Sequence, residues 1–418
     1  MNTLQYAQEL DEQDSLKKYK DAFIIPQHNG KFVHYFCGNS LGLQPKTVER
    51  FLKTELESWA KYGVEGHFMG KNPWMPYHHL FKEILSEIVG AKPHEVSVMN
   101  TLTTNLHLLM VSFYRPTAQR YKIVMEAGAF PSDQYAMESQ VKYHGYNPDE
   151  AIIELKPRLG EYVLRTADIL NVIEENKMSI ATLMIGGVNY YTGQLYDIQA
   201  ITNYAKKYNI TVGWDLAHAA GNVLLQLHNW EVDFAVWCSY KYLNSGPGGP
   251  SGFFVHEKHA QNPNLPRFAG WWGHDEKERF KMQKGYKPMY GADAWQLSNA
   301  QIFAMAPHLA SIQIFHEAKL ENLRAKSLKL TSYLYNLLII FENKFDIITP
   351  NNPDERGCQI SILASNNGKK LFDYLQEKGI VTDWREPNVI RVAPVPLYNT
   401  FEDCWHLYKS IETFYESE

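Results

Sequence analysis

A chain of 418 residues carrying 41 Lys plus Arg against 46 Asp plus Glu is long enough for two or three domains, and its formal charge of −5 offers no basic face for nucleic acid. With 45% hydrophobic and 21% charged residues it lies far from the composition of disordered chains. Its four cysteines, Cys37, Cys238, Cys358 and Cys404, form no CxxC pair, which argues against a metal cluster or a disulfide framework and suits a reducing, cytoplasmic setting.

The opening MNTLQYAQELDEQ lacks the basic-then-apolar layout of a signal peptide, and the apolar stretch from Tyr333 to Phe341 is broken by Asn336 and too short to span a bilayer. A soluble, non-exported protein is expected. From Pro45, Val48, Phe51, Leu52, Leu56, Trp59 and Ala60 recur at helical spacing up to Gly63, which predicts an amphipathic helix. A second helical pattern runs from Tyr77 to Val89 and stops at Gly90. Strand-length apolar runs then alternate with helical patterns: YKIVMEA and the helix after Pro131, IATLMIG and DIQAITNYAKKYN, then ITVGWDLA and VDFAVWCS. This rhythm predicts an α/β fold with a mostly parallel sheet covered by helices on both faces. Beyond residue 300, long helical stretches between Ala310 and Phe341, strands at CQISIL and IRVAP, and helices near 369–378 and at the C-terminus predict a smaller α+β unit. The expected division is an N-terminal arm (1–70), a large α/β domain (71–300) and a small C-terminal domain (301–418).

Two segments invite chemistry and do not carry it. The glycines of NSGPGGPSG (244–252) do not form GxGxxG, and Pro247 and Pro250 would spoil a helix start, so this segment reads as a rigid turn. HEKH (256–259) has the wrong spacing for a zinc-binding helix and reads as solvated surface. The strand ends say more. ITVGW delivers Asp215 to its C-terminal end, where open α/β sheets bind ligands, with His218 three residues on. The next strand delivers Tyr240 and Lys241, and a partly desolvated lysine can form a Schiff base and act as a base. The separation of 26 positions from Asp215 to Lys241 spans one short crossover and one strand, so both groups can meet at one sheet edge.

A carboxylate for a pyridine nitrogen and an amine for an aldehyde are what pyridoxal 5′-phosphate requires. The hydroxyl-rich turn NTLTTN (100–105), opening a helix, offers backbone N–H groups and Thr103 to a phosphate, and Phe130 in FPSD (130–133) offers a ring face.

With FCGNSLGLQP, MNTLTTNLHLL, AFPSDQYA, GVNYYTGQ, GWDLAHAAGN, WCSYKYLNSGPGG, RFAGWWGH and IRVAPVPLYN in order, the sequence resembles the kynureninase family of fold-type I pyridoxal phosphate enzymes, in the aspartate aminotransferase superfamily. The resemblance implies hydrolytic Cβ–Cγ cleavage of L-kynurenine or 3-hydroxy-L-kynurenine to an anthranilate and L-alanine, in tryptophan breakdown or NAD precursor supply. Lys241 would carry the cofactor and Asp215 would hold its ring nitrogen. Phe130 would stack on the ring. Pro131, Ser132, Asp133 and His218 would surround it, and Leu102, Thr103 and Tyr240 would bind the phosphate. Tyr240 would also relay a proton. Ser40, His67, Asn299 and Arg391 would bind substrate, with Arg391 forking onto the α-carboxylate. Trp271 and Asn299 would cross from a partner subunit, making a homodimer with shared sites. Gly186 stands where the family often has Ser, so a hydroxyl contact is absent there. Two alternatives remain at this stage: a cysteine desulfurase using Cys358, and a silent cofactor-fold binding protein, which would be expected to lose Lys241 or Arg391.

Overall fold

The computed structural model describes residues 2–260, 262 and 264–417. The continuously apolar runs form one seven-stranded sheet: β1 (Val96–Met99), β2 (Lys122–Glu126), β3 (Ile152–Leu155), β4 (Ile180–Gly186), β5 (Thr211–Asp215), β6 (Phe234–Trp237) and β7 (Ser251–Val255). The spatial order is β1-β7-β6-β5-β4-β2-β3. β7 runs antiparallel to both neighbours, and the other pairings are parallel. Every residue of β1, β6 and β7 is buried, which is why these strands show no polar alternation: both faces lie under other elements.

The helices start and stop where local chemistry directs. Among them are α1 (Leu4–Glu12), α2 (Val48–Tyr62), α3 (Lys82–Val89), α4 (Leu102–Phe113) and α5 (Pro131–Tyr143). Gly90 ends α3 in the left-handed conformation, with φ 63°, and Pro131 begins α5 at its first turn, where a missing N–H costs nothing. The helical stretch expected from Ala310 to Phe341 is two helices, α6 (Ile302–Ala318) and α7 (Leu320–Leu338), separated at Lys319, whose φ is 61°.

A second, antiparallel sheet, in the order β8-β9-β11-β10, joins β8 (Asp346–Ile347), β9 (Ile360–Leu363), β10 (Asp383–Arg385) and β11 (Val389–Val392). With α8 (Gly368–Glu377) and α9 (Phe401–Glu416) it builds a separate apolar core that includes Leu334, Ile362, Leu371 and Leu407, and takes in Ala7 and Phe36 from the N-terminal segment.

The amphipathic helix expected after Pro45 forms as α2, with Val48, Glu55 and Ser58 buried and Leu56 and Trp59 exposed. Glu55 points inward because its carboxylate accepts hydrogen bonds from Asn72, the Trp74 indole and Tyr77. HEKH is not solvated throughout: His256 is buried, caps its own turn through Lys258 N and reaches His228 O, while His259 bonds Asp233 at 2.8 Å. No helix among the described residues is long and apolar enough to cross a membrane.

Candidate active site

β5 and β6 are parallel neighbours in which Asp215 pairs in register with Val236, so the chain leaves both strands at the same edge. From that edge come Asp215, His218, Tyr240 and Lys241. The end of β2 contributes Glu126 and the start of α5, and the end of β1 contributes the start of α4. Together they line a cavity whose walls also include Leu102, Thr103, Phe130, Ser132, Asp133 and Gly186. A wider cleft bordered by Tyr162, Arg165, Trp230, Tyr335 and Asn351 holds none of the predicted site residues.

Lys241 Nζ lies 3.0 Å from His218 Nε2 and 5.6 Å from the centre of the Phe130 ring. Burial, followed by the charges of Lys241, Arg391 and Arg385, pushes His218 well below its ordinary range, so the imidazole is neutral. With Nε2 accepting from the lysine, Nδ1 carries the proton, and it is a buried donor without a partner. Asp215 accepts a hydrogen bond from Ala217 N at 2.6 Å. Asp133 is hydrogen-bonded to Asp215 and raised well above the usual carboxylate range, first by burial and then by the Asp215 charge. Its Oδ1 has no partner. Burial, opposed by backbone N–H groups, pushes Glu126 up to about 7, and both its oxygens lie 3.3 Å from Gly186 N.

Three converging carboxyls, an unpaired imidazole N–H and one lysine make a pocket suited to a ligand with a cationic ring nitrogen and an electrophilic carbon. Thr103 Oγ1 and Ser132 Oγ are 2.6 Å apart, and α4 opens beside them with no side chain capping its first N–H groups. Those donors suit a phosphate. The residues present therefore fit pyridoxal 5′-phosphate: Lys241 for the aldehyde, Asp215 for the ring nitrogen, Phe130 for the ring face, Thr103 and Ser132 for the phosphate.

Arg391 sits just outside this lining. Its Nη1 donates to Tyr190 O at 2.7 Å, and Nη2 donates to Ser40 Oγ at 3.0 Å and to Asp383 at 2.6 Å. Gly42 N donates to Tyr240 O at 2.8 Å, tying the segment of Ser40 to the lysine loop.

Other predicted residues are not gathered here. Pro131 is exposed and serves the start of α5. Trp271 stacks edge-on against Trp272 and Phe280 and gives its N–H to Arg279 O, while Asn299 is exposed. His67 bonds Val64 O and rests on Trp74. Sequence reasoning missed Glu126, Val188, Tyr190, Ala217 and Cys238, which also line the cavity. Glu126 was findable, because it is a carboxylate ending an apolar strand as Asp215 is. Cys358 is buried and absent from the lining, and burial pushes its thiol up to about 12. That thiol is unsuited to the nucleophilic role a desulfurase requires.

A family model described as the kynureninase C-terminal domain matches residues 323–411. The chain is 56% identical to the kynureninase of Flavobacterium psychrophilum, covering 97% of this chain and 96% of that one. It is 48% identical to the kynureninase of Nematostella vectensis, over 96% and 91%. Among solved structures, a cysteine desulfurase of Thermococcus onnurineus aligns with a TM-score of 0.75 at 17% identity, covering 92% of this chain and 95% of that one. A cysteine desulfurase of Escherichia coli aligns with a TM-score of 0.75 at 14%, covering 96% and 99%. At such identity these structures share the fold alone.

Proposed function

The chain belongs to the kynureninase family, and we propose that it is a pyridoxal-phosphate-dependent hydrolase that cleaves the Cβ–Cγ bond of L-kynurenine and its 3-hydroxy derivative, giving an anthranilate and L-alanine. The observation that carries this reading is the convergence of Lys241, Asp215 and Thr103, from three strand ends, on one cavity.

When bound, the cofactor supplies an electron sink for proton loss at Cα and for negative charge at Cβ. The chain supplies the rest. Ser40 and Arg391 bind the α-carboxylate, and the Arg391 contact to Tyr190 O fixes the guanidinium beside the cavity. Lys241, once free of the cofactor aldehyde, takes the Cα proton, and neutral His218 accepts a hydrogen bond from the lysine ammonium. Burial raises the Tyr240 phenol, so it stays protonated and can deliver a proton to Cβ. Asp215 would hold the ring nitrogen, beside an Asp133 carboxyl that burial and then the Asp215 charge raise well above the usual carboxylate range. Water adds to the γ-ketone, and the bond to Cβ breaks as the carboxyl of the anthranilate forms.

The enzyme acts as a homodimer in which Trp271 and Asn299 complete the neighbouring site. The exposure of Leu56, Trp59, Val64, Phe68 and Trp271 supports this, because a buried counterpart would account for so many large apolar side chains at the surface. Incubating purified holoenzyme with L-kynurenine should release fluorescent anthranilate and L-alanine in equal amounts. Release of sulfur from L-cysteine with no anthranilate would overturn the assignment.

A further inference from the structure

Arg391 is not a free guanidinium awaiting a carboxylate. On β10, Asp383 stands directly opposite it in register, and Asp383 Oδ2 already takes Arg391 Nη2 at 2.6 Å and also accepts from Ser40. A single arginine paired with a single carboxylate has no net charge left for a substrate. Arg385, two residues along the same strand and therefore on the same face, changes that balance. Its Nη2 is 3.2 Å from Asp383 Oδ2 and 3.5 Å from Ser40 Oγ, and its Nε lies 3.2 Å from Asp383 Oδ1. Two guanidiniums and one carboxylate leave one positive charge, which matches one α-carboxylate. The buried Nε of Arg391 has no hydrogen-bond partner, so an unused donor remains in the cluster. The other groups nearby do not supply the charge: burial holds Cys37 and Tyr190 in their neutral forms.

Resting on the reading of the site given above, we propose that Arg385 is a second carboxylate-binding residue: Asp383 cancels the charge of one of the two guanidiniums, and Arg385 restores the charge that captures the substrate's α-carboxylate. The field of both guanidiniums reaches His218 inside the cavity, as their shared lowering of that imidazole indicates.

The test is charge restoration in the holoenzyme, with melting temperature and bound cofactor checked in each variant. Arg385→Gln leaves no net charge and should raise KM for L-kynurenine about tenfold with kcat within about twofold. Asp383→Asn should not raise KM. The double variant Asp383→Asn/Arg385→Gln returns the balance to one positive charge and should bring KM back to within about threefold of wild type, a rescue that a merely structural role would not give. Should Arg385→Gln fold poorly, Arg385→Lys keeps the charge and should hold KM within about threefold. A KM for Arg385→Gln within twofold of wild type overturns the proposal, as does a double variant no better than the single one, or a tenfold rise in Arg385→Lys. Calorimetric titration with L-alanine reads the same cluster without turnover: if the wild type fails to make anthranilate, the kynureninase reading falls, and the tenfold loss and rescue of L-alanine affinity still decides the role of Arg385.

Discussion

Gly42→Ala probes how tightly the lysine loop is held. A Cβ at position 42 would lie 2.4 Å from Lys241 O, 2.2 Å from Asn244 Oδ1 and 2.8 Å from Asn244 Cα. The amide oxygen of Asn244 can swing away, but the Lys241 carbonyl is backbone. Ordinary contact begins near 3.4 Å, so that carbonyl must retreat by 3.4 − 2.4 = 1.0 Å, and the bond from Gly42 N to Tyr240 O must stretch with it. Displacing a reacting group by 1 Å costs about 100-fold in rate, or ~2.7 kcal/mol of barrier, while overpacking costs ~1–3 kcal/mol of stability. The expected result is a roughly 100-fold drop in kcat/KM for L-kynurenine, followed by anthranilate fluorescence, with most of the cofactor retained. Gly145→Ala is the control. Its φ is +82° with open space around it, so stability should fall by ~1 kcal/mol and kcat/KM should not change. Wild-type kcat/KM in a folded Gly42→Ala protein would refute the claim that this contact sets the lysine's position.

Asp215→Asn should retain some cofactor yet lose most turnover, because a neutral amide cannot keep the ring nitrogen protonated; near-normal kcat would remove that role. Mixing inactive Lys241→Ala with inactive Trp271→Ala should restore partial activity once subunits exchange, and no recovery after demonstrated exchange would count against shared sites. The wild type should prefer 3-hydroxykynurenine in kcat/KM, and the preference should narrow or reverse in His67→Trp/Asn299→Thr, since a site that pairs a ring hydroxyl is penalised when it is missing; equal constants for the two substrates would contradict this. Burial holds His78 and His308 at about 3, against ~6.5 unfolded, so between these pH values the unfolded chain binds up to two more protons and stability falls as pH falls, by up to ~2.7 kcal/mol per unit (two groups at ~1.36). His308→Leu should cut that slope by up to ~1.4 kcal/mol per unit in denaturant titrations from pH 6 to 4, and an unchanged slope would show that His308 does not titrate as argued.

The strand ends were legible because a parallel sheet covered on both faces writes itself as uninterrupted apolar runs, and a charged residue closing such a run has few places to be. Asp215 and Lys241 were found that way, and Glu126 obeys the same rule. Asp383 and Arg385 gave no comparable signal. They lie on a three-residue strand of half-buried residues, TDWREP reads as an ordinary polar turn, and their chemistry appears only when β10 is laid against β11 in register with Arg391. His256 escaped for a similar reason: the partners that keep it buried, His228 O and Lys258 N, come from folding, and one of them is 28 residues away.

Helix α2 marks a different boundary. The spacing of Phe51, Leu52, Leu56 and Trp59 predicts the helix that forms, yet within one chain only the first part of that stripe is partly covered. Trp59 touches Phe303, itself exposed, and Val64, Phe68 and Met69 continue the patch toward His67. Periodicity specifies that a face is to be buried, not which chain buries it. Leaving these side chains in water forfeits roughly 1.5–3 kcal/mol for each that full burial would supply. Of the predicted site residues outside the cavity, His67 lies between the exposed Val64 and Phe68, and Trp271 and Asn299 are themselves exposed. A second copy that covered the stripe would bury it, and with Trp271 and Asn299 completing the neighbouring site as proposed, dimer stability and substrate binding should fail together when the stripe is made polar.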